Sequence, residues 1–347
     1  MKAFYRWAVM AVCACLLALP ATAAPYKSEY KLSVVPGATS GWGMTGTFFA
    51  DLVRERSQGR INIKVYHSSQ LLAGKQTSEF LLLRNGAIDF ALASTINWSP
   101  QIKELNLPAL PFFLAVQPDR YKAMDAILAG KSGKMMTQAV EKKGVKIIGW
   151  TENGFRELTT SKGPITRPED LRGLKIRVVG SPIFIETFRA LGANPVNMNW
   201  SEATTGFQQG VVDGQEGCFN NVVTLKFYEA QKYATMINYS VHSCNFIVGE
   251  RWLQSLPEKE RNALIRAGKE AMLYERTKVA DMLATDDELM QEHGMELLGV
   301  VEDLPEWVRL GRTAWPKCYE VIGDGDAAKG KAVIDVVLAK KEALAKK

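Results

Sequence analysis

The sequence has little of the chemistry on which most enzymes and metal sites depend. It contains five cysteines and three histidines, and His67, His242 and His293 are far apart with no Cys-x-x-Cys motif beside them. That pattern excludes the usual zinc spacings. A Gly-x-Ser-x-Gly elbow is also missing, and no Ser/His/Asp set is evident. We therefore expect no metal site, no cofactor and no catalytic residue.

A strong charge of one sign is missing too. The formal net charge is +6, and it falls to +4 when Lys2 and Arg6 near the N-terminus are left out. A balance this mild and this dispersed argues against nucleic acid as a partner. Beyond the N-terminal segment, no apolar run reaches the ~18 residues typical of a membrane-spanning helix.

The N-terminal segment has the order of a secretory signal. Lys2 and Arg6 precede the apolar residues 7–19, and small residues follow at 20–24. The apolar core is too short to span a bilayer, and the Ala-Thr-Ala sequence predicts cleavage after Ala23. We predict a signal peptide at residues 1–23 and a mature chain in the periplasm.

Export would leave Cys218, Cys244 and Cys318 in an oxidising compartment. Three thiols permit at most one internal disulfide, and the sequence alone does not choose the pair. Cys218 with Cys244 closes the shortest loop, so this pair is our first prediction.

Strand-like and helix-like segments alternate in two successive sets that meet near residue 150. One example is "VKIIGW", residues 145–150, which predicts a strand after two helices. Such alternation predicts parallel sheets covered by helices, and two sets predict two lobes. The length of 347 residues suits two lobes better than one core. The predicted fold class is α/β with two lobes.

Residues 257–293 have the pattern of one long helix, with Ser255 as a candidate cap and Gly294 after its end. At ~1.5 Å per residue it would extend about 50 Å, which is more than one lobe needs, so we expect it to tie the lobes together. The predicted lobes are discontinuous: residues 24–152 plus about 243–280, and residues 153–242 plus about 281–347.

The motif "GWGMTG" places Gly41, Gly43 and Gly46 in the spacing of a dinucleotide-binding loop. Such a site needs an acidic residue at the end of the next strand to hold the ribose. That strand ends here at His67 and two serines. We interpret the glycines as a loop that lines a cleft rather than as a nucleotide site.

Arg177 lies inside the strand-like run "LKIRVV", where alternation places it on one face with Lys175 and Val179. One interpretation is a wet sheet face. However, strands of α/β lobes are usually covered on both sides, so an arginine there is paired or lies where ligands bind. A guanidinium suits a carboxylate because it offers two parallel charged hydrogen bonds.

Four segments together resemble the extracytoplasmic solute-binding proteins of TRAP transporters, the DctP-type family. They are "LPALPFF", "GFRELTTSKGPITRPEDLRGLKIRV", "ALGANPVNMNWSEATTGFQQGVVDGQE" and the helix after "WLQSLPEKE". The resemblance covers nearly all of the mature chain. It implies a two-lobed periplasmic binding protein, type II-like, with hinge strands. It also implies a receptor that closes on an organic acid and serves small and large integral membrane subunits of a TRAP transporter.

The resemblance also implies roles for particular residues. Arg177 matches the arginine that binds the ligand carboxylate, Arg156 a second arginine near the ligand, and Trp200 an aromatic position that packs on it. The family usually has Asn-Pro after Asp-Gly-Gln-Glu, whereas this chain has Gly217 and Cys218. We therefore expect Asn220 or Asn221 to replace the missing amide, or a pocket widened at Gly217.

In the first lobe, Trp42, Thr95 and Asn97 follow predicted strands and are candidates for lining the cleft. The sequence does not name the acid. Two alternatives to a transport receptor stay open: a receptor that feeds a sensor kinase, and a periplasmic enzyme on a similar scaffold. We expect the mature protein to be a monomer without catalytic activity.

Overall fold

The computed structural model describes residues 26–114 and 119–345; the predicted signal peptide at 1–23 lies outside them. The strands are β1 (Tyr30–Val34), β2 (Ile63–Tyr66), β3 (Phe90–Ser94), β4 (Val145–Thr160), β5 (Lys175–Val178), β6 (Asn194–Asn197), β7 (Gly214–Gly217), β8 (Tyr233–Gly249) and β9 (Glu296–Val300). The α-helices are α1 (Gly41–Arg56), α2 (Glu79–Arg84), α3 (Thr95–Trp98), α4 (Arg120–Leu128), α5 (Lys131–Glu141), α6 (Pro182–Ala190), α7 (Trp200–Gln208), α8 (Phe219–Thr224), α9 (Glu250–Ser255), α10 (Glu258–Glu292), α11 (Leu304–Arg312), α12 (Trp315–Ile322) and α13 (Ala327–Ala345). Short 3₁₀ helices lie at Gln70–Leu72, Gln76–Ser78, Lys103–Ala109, Pro168–Leu171 and Phe227–Glu229.

The strands of the described residues form one mixed sheet in the order β2, β1, β3, β8, β4, β7, β5, β6, with β9 pairing with β8. Within each half the pairs are parallel: β1 with β2 and β3, and β5 with β6 and β7. Between the halves, β8 and β4 run antiparallel to each other. β3 pairs with β8, and β7 pairs with β4, and both of these pairs are antiparallel as well. The predicted α/β class is confirmed, as two parallel halves that meet at an antiparallel pair.

The strands β4 and β8 connect the two halves because each is long enough to belong to both. Their pairing runs from Val145 opposite Gly249 to Thr160 opposite Tyr233, with a register shift between Glu152 and Phe155. The sequence predicted a strand only at 145–150, and it gave no prediction for β8. These strands carry many buried polar residues, so their hydrophobic alternation is interrupted.

The long helix α10 begins at Glu258 and ends at Glu292, which confirms the helix predicted at 257–293. Pro257, and not Ser255, is its cap residue. It packs on α1 and β4, and further along on α8 and β9, so it contacts both halves of the sheet. None of the described helices is both long and apolar enough to cross a membrane.

The three glycines of "GWGMTG" lie inside the first turns of α1, which starts at Gly41, rather than in a loop. A side-chain carbon on Gly43 would come within 2.3 Å of the Gly37 carbonyl oxygen. One on Gly46 would come within 3.1 Å of Val65 and 3.2 Å of Val34. The glycines therefore let the helix pack closely on its incoming loop and on the sheet.

Cys218, Cys244 and Cys318 are buried free thiols. The predicted Cys218–Cys244 disulfide is therefore wrong. Each sulfur contacts His242 instead: the Cys218 sulfur lies 3.8 Å from His242 Nδ1, and the Cys244 thiol donates to the His242 carbonyl oxygen at 3.5 Å.

We predict three reactive thiols per chain in denatured, unreduced protein that lacks residues 1–23. The structure leaves each of the three mature cysteines as a thiol. A colorimetric thiol assay checks this, and the same sample treated with reductant is the control, which is expected to give the same count. A count of one before reduction would contradict the structure.

Candidate ligand-binding site

A cavity of about 40 Å³ lies between the two halves of the sheet, beside the connecting strands β4 and β8. Its lining comes from both halves and from β8, and consists of Val35, Pro36, Trp42, Gln76, Asn97, Asn153, Arg156, Arg177, Val179, Trp200, Asn221 and His242. This is a small volume for a ligand site. The site therefore suits a small ligand.

Arg177 is fully buried on β5, although it is a charged side chain. Its Nε and Nη2 donate to the Met198 carbonyl oxygen at 3.2 and 3.0 Å, and this acceptor carries no formal charge. Its Nη1 is buried and has no hydrogen-bond partner among the described residues. Burial lowers the pKa of Arg177 to about 10, with Glu216 opposing the shift and Arg156 adding to it. The side chain is thus a cation at neutral pH with no partner of opposite charge.

Arg156, on β4, is also buried but carries its own counterion. Its Nε donates to a carboxylate oxygen of Glu216 on β7, and its Nη2 donates to the Glu216 carbonyl oxygen at 3.2 Å. Burial alone would lower the pKa of Arg156, but the charge of Glu216 outweighs it, so that the pKa rises. The Tyr239 hydroxyl donates to the same Glu216 oxygen. Arg156 and Glu216 therefore form a neutral pair beside the cavity.

His242, on β8, is held on both sides of its ring. Its Nε2 is 2.8 Å from the Ser94 hydroxyl, and its Nδ1 is 3.8 Å from the Cys218 sulfur. Its ring lies 5.4 Å from that of Trp42, between centroids. Burial, with the charges of Arg156 and Arg177, lowers the pKa of His242 well below its usual 6.5. The imidazole is therefore neutral at physiological pH.

Hydrogen bonds cross the cleft next to Trp200, the first residue of α7. The Trp200 amide donates to Gln76 Oε1 at 2.8 Å, and Gln76 Nε2 donates to Asn97 Oδ1 at 3.0 Å. The Trp200 ring lies 5.4 Å from the Arg177 guanidinium carbon, in the range of a cation–π contact. These contacts cover the cavity from the first half and hold the two sides together.

Amide side chains complete the wall near β4. Asn153 and Asn220 bond to each other, with Asn220 Nδ2 donating to Asn153 Oδ1 at 2.8 Å. Asn153 lines the cavity and Asn220 lies behind it, whereas Asn221 lines the cavity directly. Asn220 therefore fixes the orientation of an amide that faces the cavity.

The structure brings most of the predicted site residues together. Arg177, Arg156, Trp200, Asn221, Trp42 and Asn97 all line the cavity. Thr95, Asn220 and Gly217 do not belong to its lining. The Thr95 hydroxyl donates to the Ser243 carbonyl oxygen at 3.1 Å, and Gly217 pairs with Glu157 inside the sheet. That the predicted site residues contact ligand stays a prediction.

Sequence reasoning missed several lining residues, among them Gln76, His242, Asn153 and Val179. Val179 could have been found, because strand alternation already placed it on the face of Arg177. Asn153 could also have been considered, because it precedes Arg156 in the same segment. For Gln76 and His242 there was no local signal. Gln76 reaches the cavity from a 3₁₀ helix, and His242 reaches it from a strand that the sequence did not predict.

The described residues contain no group of three or more His, Cys, Asp or Glu side chains that could hold a metal ion. The cavity instead combines one uncompensated cation, neutral hydrogen-bonding groups and indole rings. Such a lining is suited to binding and orienting a small anion.

Comparison with known proteins agrees with this geometry. The family described as bacterial extracellular solute-binding protein, family 7 (DctP), matches residues 32–320. The chain belongs to this family. It is a family of binding proteins, and the two-lobed α/β fold is that of TRAP solute-binding proteins.

Particular relatives show how far the similarity extends. A solved TRAP periplasmic solute-binding protein of Ralstonia eutropha H16, with bound (S)-2-acetolactate, is 41% identical, with a TM-score of 0.82, and the match covers 89% of this chain and 99% of that one. The C4-dicarboxylate-binding protein DctP of Rhodobacter capsulatus is 30% identical over 89% of this chain and 88% of its own. The 2,3-diketo-L-gulonate-binding periplasmic protein of Escherichia coli K12 is 31% identical over 72% and 74%.

We predict that Glu216→Ala lowers the free energy of unfolding by about 3–5 kcal/mol, because it leaves Arg156 buried without its counterion. Chemical denaturation measures the change. The matched control is Glu186→Ala, which removes the carboxylate of an exposed pair with Arg189 and is expected to change stability by less than about 1 kcal/mol. Equal effects of the two substitutions would contradict the neutral-pair assignment.

Proposed function

We propose that this solute-binding protein captures a small organic acid between its two lobes in the periplasm and delivers it to a TRAP transporter. The ligand carboxylate binds Arg177, and Trp200 packs against the ligand. Arg156, Asn221, Trp42 and Asn97 line the remaining surface around it. No covalent chemistry is part of this function.

The observation that carries the proposal is the unpaired charge of Arg177. A buried cation is strongly unfavourable unless it is paired, so proteins retain one where a ligand supplies the opposite charge. Its Nη1 is buried without a partner and belongs to a side chain that lines the cavity. A carboxylate placed there would compensate the charge and accept that hydrogen bond.

We also propose the lobe boundaries stated above, with β4 and β8 as hinge strands. The parallel strand pairing within each half supports them. The C-terminal helices reach both lobes, since α13 packs on α4 and α5 while α12 packs on α6. Ligand that contacts residues of both lobes favours the closed form, because those contacts exist together only there.

Delivery to small and large membrane subunits rests on family membership. Uptake of the ligand by cells or proteoliposomes that contain those subunits, with and without this protein, tests it. Uptake that does not depend on the protein would favour the sensor-kinase alternative, and conversion of the bound acid would favour the enzyme alternative.

We predict that Arg177→Lys weakens binding of the acid at least about 100-fold, because an ammonium cannot bond Met198 and a carboxylate with the fork of a guanidinium. Ligands found in a thermal-shift panel of organic acids are then titrated by calorimetry. Circular dichroism checks that the variant is folded. Arg172→Lys, an exposed arginine nearby, is the matched control and should bind as the parent does. Unchanged affinity in Arg177→Lys would refute the proposed site.

We predict that affinity for the acid changes less than about threefold between pH 6 and 8. His242 stays neutral there because its pKa lies well below 6.5, and Arg177 stays charged because its pKa is about 10. Calorimetry at constant ionic strength measures this, with ligands whose carboxyl groups are ionised throughout. A tenfold change centred near pH 6.5 would show that His242 titrates in the site.

A further inference from the structure

We propose that the cavity is built for a monocarboxylate that carries a neutral oxygen substituent, and that it discriminates against dicarboxylates. This inference rests on the proposed function, which names only a small organic acid. It comes from the number of charges around the cavity and from one unpaired donor on the opposite wall.

The charged groups in and behind the lining add up to a single positive charge. Arg177 contributes one uncompensated cation, and Arg156 is neutralised by Glu216. Tyr239 bonds Glu216 as a neutral phenol, because burial raises its pKa well above 10. The neighbouring imidazole of His242 and the thiol of Cys218 are neutral as well, since burial lowers the pKa of the first and raises that of the second.

Two acidic residues of β4 lie close to the cavity, and neither adds positive charge that could bind a second ligand carboxylate. Glu157 accepts a hydrogen bond from the Asn238 backbone N–H at 2.7 Å, and Glu152 lies 3.9 Å from the Arg276 guanidinium. Any residual effect of these carboxylates on the cavity is negative. One ligand carboxylate therefore satisfies Arg177, and a second carboxylate would be buried without a counterion, which is strongly unfavourable.

The first lobe offers a donor for a neutral group. Trp42 lines the cavity with 2% of its surface exposed, and its Nε1 has no partner among the described residues. An indole N–H only donates, so the ligand atom that satisfies it is an acceptor such as a hydroxyl or carbonyl oxygen. A ligand that bonds both Arg177 and Trp42 would also contact both lobes.

Calorimetric titration of the folded mature protein with two sets of acids tests the charge argument. The first set contains 2-acetolactate, lactate, 2-hydroxyisobutanoate and 2-oxobutanoate, and the second contains succinate, malate and fumarate. We expect the tightest monocarboxylate to bind at least about 100-fold more tightly than the tightest dicarboxylate. A dicarboxylate that binds within tenfold of the best monocarboxylate would overturn the inference and leave the proposed function standing. If neither set binds, the inference is overturned, and the proposed function fails with it only if no acid of the thermal-shift panel binds either.

Glu216→Gln tests the origin of the selectivity. It keeps the shape of the side chain but leaves Arg156 as a second cation, so the preference for monocarboxylates is expected to shrink at least tenfold. Glu186→Gln, on the surface, is the matched control and should leave the ratio unchanged. An unchanged ratio in folded Glu216→Gln would contradict the role of the Arg156–Glu216 pair. If that variant does not fold, the titrations of the parent protein decide the proposal.

Comparing 2-hydroxyisobutanoate with isobutanoate tests the neutral substituent, because the two acids differ only in the hydroxyl group. We expect the hydroxy acid to bind at least tenfold more tightly, and Trp42→Phe to remove most of that difference. Equal affinities in the parent protein would overturn this part of the inference.

Discussion

The structure depends on a single electrostatic imbalance at its centre, the buried charge of Arg177. The guanidinium is anchored to the Met198 carbonyl oxygen and lies beside the Trp200 ring, so it is oriented without being neutralised. The neighbouring Arg156 is neutralised instead, because it donates to the Glu216 carboxylate, which also accepts from the Tyr239 hydroxyl. The same fold thus neutralises Arg156 and leaves Arg177 available.

The lining residues come from elements far apart in sequence, and the mixed sheet is what brings them together. Arg177 comes from a parallel strand of one half, Trp42 from the first helix of the other, and His242 from a strand shared by both. A hydrogen bond from the Trp200 backbone amide to Gln76 then joins the two sides, and Gln76 in turn donates to Asn97 within the first half. The site exists only where the two halves meet, which is why a ligand there can report on their relative position.

Local pattern was enough to predict the α/β class and the long helix, and it placed Arg177 on a strand where it would be either wet or at a ligand site. Each of these has a period or a buried charge that can be read over a few residues. The strand Tyr233–Gly249 was missed because polar residues such as Asn238, His242 and Ser243 interrupt its alternation. The His242 ring has partners beside the cavity, at Ser94 and Cys218, whereas the buried Ser243 hydroxyl has no hydrogen-bond partner among the described residues. The disulfide prediction was wrong because loop length carries no information about His242, whose ring and carbonyl oxygen engage the two sulfurs.

The connecting strand β4 is irregular at the point where its side chains line the cavity. Its register against β8 shifts between Glu152 and Phe155, Gly154 has a left-handed backbone with φ of 91°, and Asn153 and Arg156 flank that position. Bending of the strand at this bulge would therefore reorient the groups that hold the ligand. Opening of the lobes would then also take the binding site apart. A partner that separates the lobes would release the ligand by the same movement, without a separate signal.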